Sequence, residues 1–408
     1  MAPFRFIHAA DLHLDSPMRG LAEHPEAPTE ELRGATRRAL ERMVDFACSQ
    51  AVDFVVLAGD LFDGDWKDYS SGIFMNRCLA RLECPVFCLT GNHDAESLIT
   101  RTLSWPKNVQ RFDVNRPQTH LLEGLKVALH GQGFANRRED RNLAALYPDP
   151  LPGYFNLGVL HTSADGREGH ETYAPCTVAE LSGKGYQYWA LGHVHQRESL
   201  SLQPPIVFPG CLQGRHIKET GPKGCYLVKV DEEQRVQLDF QSLDVVRWEH
   251  LELDMGGATT LEEALGLVYE ALARTSEQSD TALTAVRLTL FGASSAHEAL
   301  TRRPHDTLEN LRNEAAKLRR LWLEKIYLAT RPARSREEVL RNDPPLADLM
   351  LGLRSLLVGS SELSELLKPV EELRDKLPVS FRSDFLSPES QRAALADVEE
   401  LLWANLER

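Results

Sequence analysis

The 408-residue chain is short of positive charge: 46 lysines and arginines stand against 60 aspartates and glutamates, a formal net charge of −14. Such a molecule does not gather a polyanion by bulk attraction, so bound cations or a partner must supply positive charge if it acts on one. It also lacks any apolar stretch approaching the ~20 residues needed to cross a bilayer. Its start, MAPFRFIHAADLHLD, carries no signal-peptide or lipidation pattern. Cysteine is sparse; the seven are scattered through apolar segments, which excludes a disulfide scaffold and points to a reducing cytoplasm. Internal repeats and low-complexity tracts are missing, which excludes solenoid and mainly disordered architectures. What is present is an ordinary globular balance, 42% apolar and 26% charged residues, over a length that suggests two or three domains. The expectation is a soluble cytoplasmic protein with no membrane association.

The first half alternates short apolar runs with helical patterns. Phe4 to Ala10, Phe54 to Ala58 and Val86 to Thr90 read as buried strands, and Arg33 to Ala51 as a helix with Ala39, Met43, Phe46 and Ala47 on one face. Strand, helix, strand in this order implies βαβ units in an α/β fold whose strands are covered on both faces. Leu125 to His130, Leu157 to Leu160 and Tyr188 to Leu191 are further runs, followed by hairpin-like strands at Pro205 to Phe208 and Gly224 to Val230. The first domain is expected to span residues 1–245. Residues 246–335 read as a small α+β domain: strand, helix (Leu261 to Ala273), strand (Leu283 to Phe291), helix (Thr307 to Leu321), strand (Lys325 to Thr330). Residues 336–408 read as helical, broken at Pro344–Pro345.

Five of the apolar runs end directly in potential metal ligands: Asp11-Leu12-His13, Gly59-Asp60-Leu61-Phe62-Asp63, Gly91-Asn92-His93-Asp94, His161 and Gly192-His193-Val194-His195. In open α/β sheets the crevice beyond the carboxyl ends of the strands is where ligands bind. One such motif alone is more often a turn or a cap; five in one domain make a metal site the better reading. Carboxylate, imidazole and amide oxygen without thiolate favour manganese, magnesium or iron over structural zinc. The donors are too many for one ion. Two cations bridged by one carboxylate would use them all and suit hydrolysis of a phosphate ester.

In this order the motifs resemble the calcineurin-like metallophosphoesterase superfamily, and within it the bacterial SbcD-type DNA repair exonucleases, particularly their YhaO-like branch. The resemblance is carried by AADLHLDSP at 9–17, LAGDLFD at 57–63, TGNHD at 90–94, ALGHVH at 190–195 and FPGCLQGRH at 208–216. It covers about residues 4–230 and implies layered sheets with flanking helices, then an α+β capping, DNA-binding domain and a helical partner-binding region. It assigns one cation to Asp11, His13, Asp60 and His195, and another to Asp60, Asn92, His161 and His193, with Asp60 bridging. Mn2+ is the expected ion, with Mg2+ or Fe2+ as alternatives. His93 is implied as the catalytic histidine that protonates the leaving 3′-oxygen, and Asp94 as the residue that orients its ring. Cys211 stands where other branches often carry Ser, which leaves nearby substrate contacts open. Arg215 and His216 at the end of the last motif, and Lys218 beyond it, are candidate contacts to the DNA backbone. The implied activity is a two-metal DNA nuclease, an exonuclease with endonuclease activity also in view. It would act in DNA repair as a homodimer with an SbcC-type coiled-coil ATPase; the alternative is a phosphodiesterase or phosphatase on small nucleotides. Two apolar stripes, Leu346, Leu349, Met350, Leu353, Leu356 and Leu357, then Leu395, Val398, Leu401 and Leu402, either pack on each other or the preceding domain or, as the resemblance implies, grip that coiled coil.

Overall fold

The computed structural model describes residues 1–16, 27–63, 69–96, 103–166, 173–334 and 336–357, with 368, 397 and 398. The chain divides into two compact units, one of Met1–Leu251, Leu272–Arg287 and Ala315–Lys325, the other of Glu252–Ala271, Leu288–Glu314 and the residues from Ile326 on.

The first unit is built on two six-stranded sheets. Its strands in chain order are β1 (Phe4–Ala9), β2 (Phe54–Leu57), β3 (Val86–Cys88), β4 (Val109–Arg111), β5 (Gln118–Leu122), β6 (Val127–Gly131), β7 (Phe155–His161), β8 (Tyr188–Gly192), β9 (Glu198–Leu202), β10 (Pro205–Phe208), β11 (Gly224–Val230) and β12 (Val236–Ser242). One sheet runs β12-β11-β1-β2-β3-β4, the other β5-β6-β7-β8-β10-β9. β1, β2 and β3 pair in parallel, and so do β6, β7 and β8, with His161 opposite Gly192 at the end of the β7–β8 ladder.

Alternation of side chains explains the layering. Ile7, Ala9, Val55, Leu57, Val86 and Cys88 pack on the helices Ala35–Ser49 and Tyr69–Leu79 through Leu40, Met43, Val44, Phe74 and Met75. Their neighbours Phe4, Phe6, Phe54, Val56 and Phe87 face Val127, Leu129, Phe155, Leu157, Tyr188 and Val207 of the other sheet. Phe6 and Phe54 stack there with ring centroids 4.6 Å apart. The far side of the second sheet is closed by Leu143, Tyr147 and Leu181 against Leu160, Trp189, Leu191 and Ile206. Strands buried on both faces explain the unbroken apolar runs.

A three-stranded sheet follows, in the order β13 (Val246–Asp254), β14 (Leu283–Ser294) and β15 (Leu321–Pro332). The expected helix Thr307–Leu321 is displaced to Pro304–Ala316. Arg320 turns the chain in the left-handed region at φ 63°, and Leu321 already opens β15. Beyond lie the helices Arg336–Asn342 and Pro344–Leu357, where Leu346 and Met350 bury against Leu340 while Leu349 and Leu351 stay exposed. Of the second apolar stripe, Leu395, Leu401 and Leu402 lie outside the described residues. Among the described residues no helix is long and apolar enough to cross a membrane.

Candidate metal centre

The segments leaving β1, β2, β3, β7 and β8 meet at one place. Asp11 N donates to Gly59 O, and His13 N to Asp60 O, each at 3.0 Å, so the first two segments stay laddered past their strands. Backbone strain concentrates here: Asp11, His13, Asp60 and His193 all have positive φ, at 51°, 41°, 51° and 103°. Side-chain-bearing residues occupy that region at a cost of order 1–3 kcal/mol each, a pattern typical of functional sites. Gly91 makes the close approach possible. A Cβ there would press on the Asp60 carboxylate, and would lie 2.8 Å from both Asp60 N and His161 Cε1.

The structure brings all seven expected donor residues together. Asp11, His13 and His195 form one group, and Asp60, His161 and His193 another, the donor atoms of each lying within 4.8 Å of one another; His13, Asp60 and His93 form a third. His13 Nε2 is 3.2 Å from His195 Nε2 and 3.7 Å from Asp60 Oδ2, while His195 Nε2 is 3.9 Å from Asp11 Oδ1. On the other side His161 Nε2 is 3.0 Å from Asn92 Oδ1 and 3.5 Å from Asp60 Oδ2. Asp60 therefore sits between two donor sets. Donors sharing one ion through bonds of about 2.1 Å lie roughly 3–4 Å apart, depending on the angle between the bonds, and these spacings fall within that range.

The hydrogen bonding supports the same fit. His161 Nδ1 donates to Ala58 O at 2.9 Å, which leaves the Nε2 lone pair aimed at the oxygens of Asn92 and Asp60. Three acceptors converging in a buried spot demand a cation or a proton between them. The demand shows in the pKa of His161, which burial would lower and which Asp60, with Asp11, lifts to about 9. Asp60 answers in the opposite sense: burial would raise its pKa, but His161 and His13 hold it well below the usual carboxylate range. His13 Nδ1 is buried with no hydrogen-bond partner, so its ring is oriented by what surrounds Nε2.

His93 stands beside this centre with its Nδ1 2.9 Å from Asp63 Oδ1. The other Asp63 oxygen accepts from Ser16 Oγ at 2.6 Å. Burial would lower the His93 pKa, but the Asp63 hydrogen bond, with the charge of Asp60, holds it above the ordinary imidazole value. The expected Asp94–His93 pairing is not formed. Both residues lie on the helix Asn92–Glu96, where successive side chains diverge by about 100°. Asp94 turns inward instead and accepts from the backbone amides of Leu61 (3.0 Å), Phe62 (2.9 Å) and Gly91 (3.1 Å). Burial and then the charge of Asp60 push its pKa up to about 7. Asp94 ties two strand-end loops together, and the carboxylate at His93 is Asp63.

Arg215 lies at the edge of the centre with 13% of its side chain exposed, Nη1 being 3.8 Å from Asp63 Oδ2; His216 and Lys218 are exposed beside it. Sequence reading missed Glu219, which is 4% exposed and binds both His195 Nδ1 (2.7 Å) and Arg215 Nη2 (2.8 Å). Its only signal was the four-residue spacing from Arg215. Lys223, equally buried, donates to His195 O at 3.1 Å.

Residues 4–197 match the family model of the calcineurin-like phosphoesterases, and residues 248–331 that of the middle domain of metallophosphoesterase YhaO. The chain is 36% identical over 329 residues to the uncharacterized metallophosphoesterase YhaO of Bacillus subtilis (strain 168), covering 78% of this chain and 79% of that protein. Two solved structures, the protein TT1561 of Thermus thermophilus and a dimetal phosphatase from Danio rerio, are each 13% identical. They cover 58% and 59% of this chain and 98% and 99% of their own, with TM-scores of 0.34 and 0.35. With identity at this level across more than three-quarters of its length, the chain belongs to the calcineurin-like metallophosphoesterase family.

Proposed function

We propose that the protein is a two-metal phosphodiesterase that hydrolyses DNA, in repair, beside an SbcC-type coiled-coil ATPase. The observation that carries the hydrolytic reading is the pair of largely buried donor groups on either side of Asp60, with His93 at their margin. Asp11, His13, Asp60 and His195 would hold one divalent cation and Asp60, Asn92, His161 and His193 a second, manganese being the first choice for this oxygen and imidazole set. Bound there, such ions supply charge stabilisation at the phosphoryl oxygens and acidify the attacking water. The chain's own part falls to His93: with its ring held by Asp63 and its pKa raised above the ordinary imidazole value, it would donate the proton to the leaving oxygen. Arg215 would hold a substrate phosphate beside it, as a positioning contact.

DNA as substrate is supported by the resemblance of the motifs to SbcD-type nucleases and by the further domain beyond residue 245. The net charge of −14 favours the second reading, a phosphodiesterase or phosphatase on small nucleotides with the same donors. Assays in Mn2+ on 3′-labelled duplex DNA, single-stranded DNA and cyclic dinucleotides separate the two. Cleavage confined to the dinucleotides would overturn the nuclease reading. The ATPase partner is proposed to dock on the C-terminal helices, where Leu349 and Leu351 are exposed. Truncation at residue 340 should then abolish co-purification, and retention of the ATPase by the truncated chain would exclude this docking site.

A further inference from the structure

Glu219 is buried, yet its carboxylate lies in none of the groups that gather metal donors. Its oxygens are committed elsewhere. Oε1 accepts from His195 Nδ1 at 2.7 Å and from Arg215 Nη2 at 2.8 Å, and Oε2 accepts from the Arg215 amide at 2.7 Å and from Arg215 Nε at 3.4 Å. His216 Nε2 stands 3.7 Å from Oε1.

The two partners of Oε1, themselves 3.2 Å apart between Arg215 Nη2 and His195 Nδ1, lead to different parts of the site. An imidazole binds a cation only through a nitrogen that carries no proton, and a carboxylate at the other nitrogen fixes which one that is. By taking the Nδ1 proton in a hydrogen bond, Glu219 leaves the lone pair of His195 on Nε2, the atom 3.2 Å from His13 Nε2 and 3.9 Å from Asp11 Oδ1. The other partner, Arg215, reaches from Glu219 toward Ser16 Oγ (3.5 Å) and Asp63 Oδ2 (3.8 Å); Ser16 donates to Asp63, and Asp63 holds His93. One carboxylate thus holds both a candidate cation ligand and the arginine that approaches Asp63.

We propose that Glu219 is a positioning residue that fixes the cation-binding tautomer of His195 and docks Arg215 for a substrate phosphate. The proposal rests on the two-cation reading given above, and calorimetric titration of the full-length chain with Mn2+ tests the two separately. Wild-type protein should take up two equivalents; failure to do so overturns the two-cation reading itself. Glu219→Gln presents an amide NH2 to a site where every partner is a donor, so it should weaken one equivalent by about 10–100-fold and leave the other. Glu219→Asp, which keeps the charge, should recover part of that loss. Arg215→Gln, which removes a guanidinium 3.2 Å from His195 Nδ1 but keeps the Glu219 carboxylate on that nitrogen, should weaken cation binding less than Glu219→Gln does and raise KM for bis(p-nitrophenyl) phosphate more than it lowers kcat. If wild type binds two equivalents and Glu219→Gln binds them equally tightly, the assignment is wrong. A Glu219→Gln chain that no longer unfolds cooperatively would make the residue structural and overturn the assignment as well.

Discussion

His93 and Asp94 are neighbours in sequence and do different work, because a helix sends adjacent side chains in different directions. Asp94 knits the loops after β2 and β3 through three backbone amides, while His93 points outward to Asp63. His93→Gln should therefore leave the Mn2+ content unchanged and lower phosphodiester cleavage by roughly 10²–10⁴; metal analysis beside the rate measurement checks it, and metal lost with activity would make His93 a ligand. The meeting of the seven donors was legible because each directly ends an apolar run. Asp63 is legible only as part of a strand-end motif and Glu219 only by its spacing from Arg215, because nothing local marks a carboxylate whose partner is a remote imidazole. His8 gives a residue-scale prediction away from the site. Its Nε2 donates to Leu191 O at 3.1 Å, and Nδ1 accepts from Tyr188 at 2.9 Å, so the ring is held neutral. Burial takes its pKa from 6.5 down to about 3. Between those values the unfolded chain binds the extra proton, so stability must fall as pH falls, by up to about 1.4 kcal/mol per pH unit from this group. In denaturant titrations between pH 6 and 5, His8→Gln should show a shallower dependence than wild type by about that amount; equal slopes would mean that His8 is not held neutral.

At the scale of elements, the strands that could be read from the sequence are the inner ones. β1, β2, β3, β7 and β8 are buried almost throughout, so their apolar runs are continuous. β5, β9 and β12 close the sheet edges and are mostly half-exposed; QTHLL shows no clear pattern, and ESLSL and VQLDFQS alternate apolar with polar residues, so none carries the continuous apolar run of the inner strands. The three-residue edge strand β4 is equally faint. The inner strands are also the ones that deliver donors, which is why the site was easier to read than the sheet edges. The turn between β3 and the helix Asn92–Glu96 is the tightest point of that delivery, since Gly91 lies against Asp60 and the His161 ring. Gly91→Ala should shift the Asp60 carboxylate and reduce Mn2+ affinity by about 10-fold or more, with the far-UV circular dichroism unchanged. Unaltered affinity would mean that the turn relaxes without moving the donors.

Over the whole molecule, charge and chemistry pull apart: a net charge of −14 surrounds a centre proposed to act on a polyanion. The buried carboxylates Asp11 and Asp60 add to that charge at the centre, and two divalent cations would reverse its sign locally while leaving the rest of the surface unsuited to DNA. Among the described residues the candidate phosphate contacts at the edge are Arg215, Lys218 and, when protonated, His216, whose pKa burial lowers. Each neutralised phosphate contributes about 0.9 to the slope of log affinity against log salt on duplex DNA. Three contacts predict a slope no steeper than about −3, and weak binding by the isolated chain in physiological salt. Fluorescence anisotropy on a long duplex between about 50 and 200 mM salt, the range over which such slopes are read, measures it directly. Tight binding with a slope near about −6 would place a second basic surface on this protein and remove the need for a partner to bring the DNA.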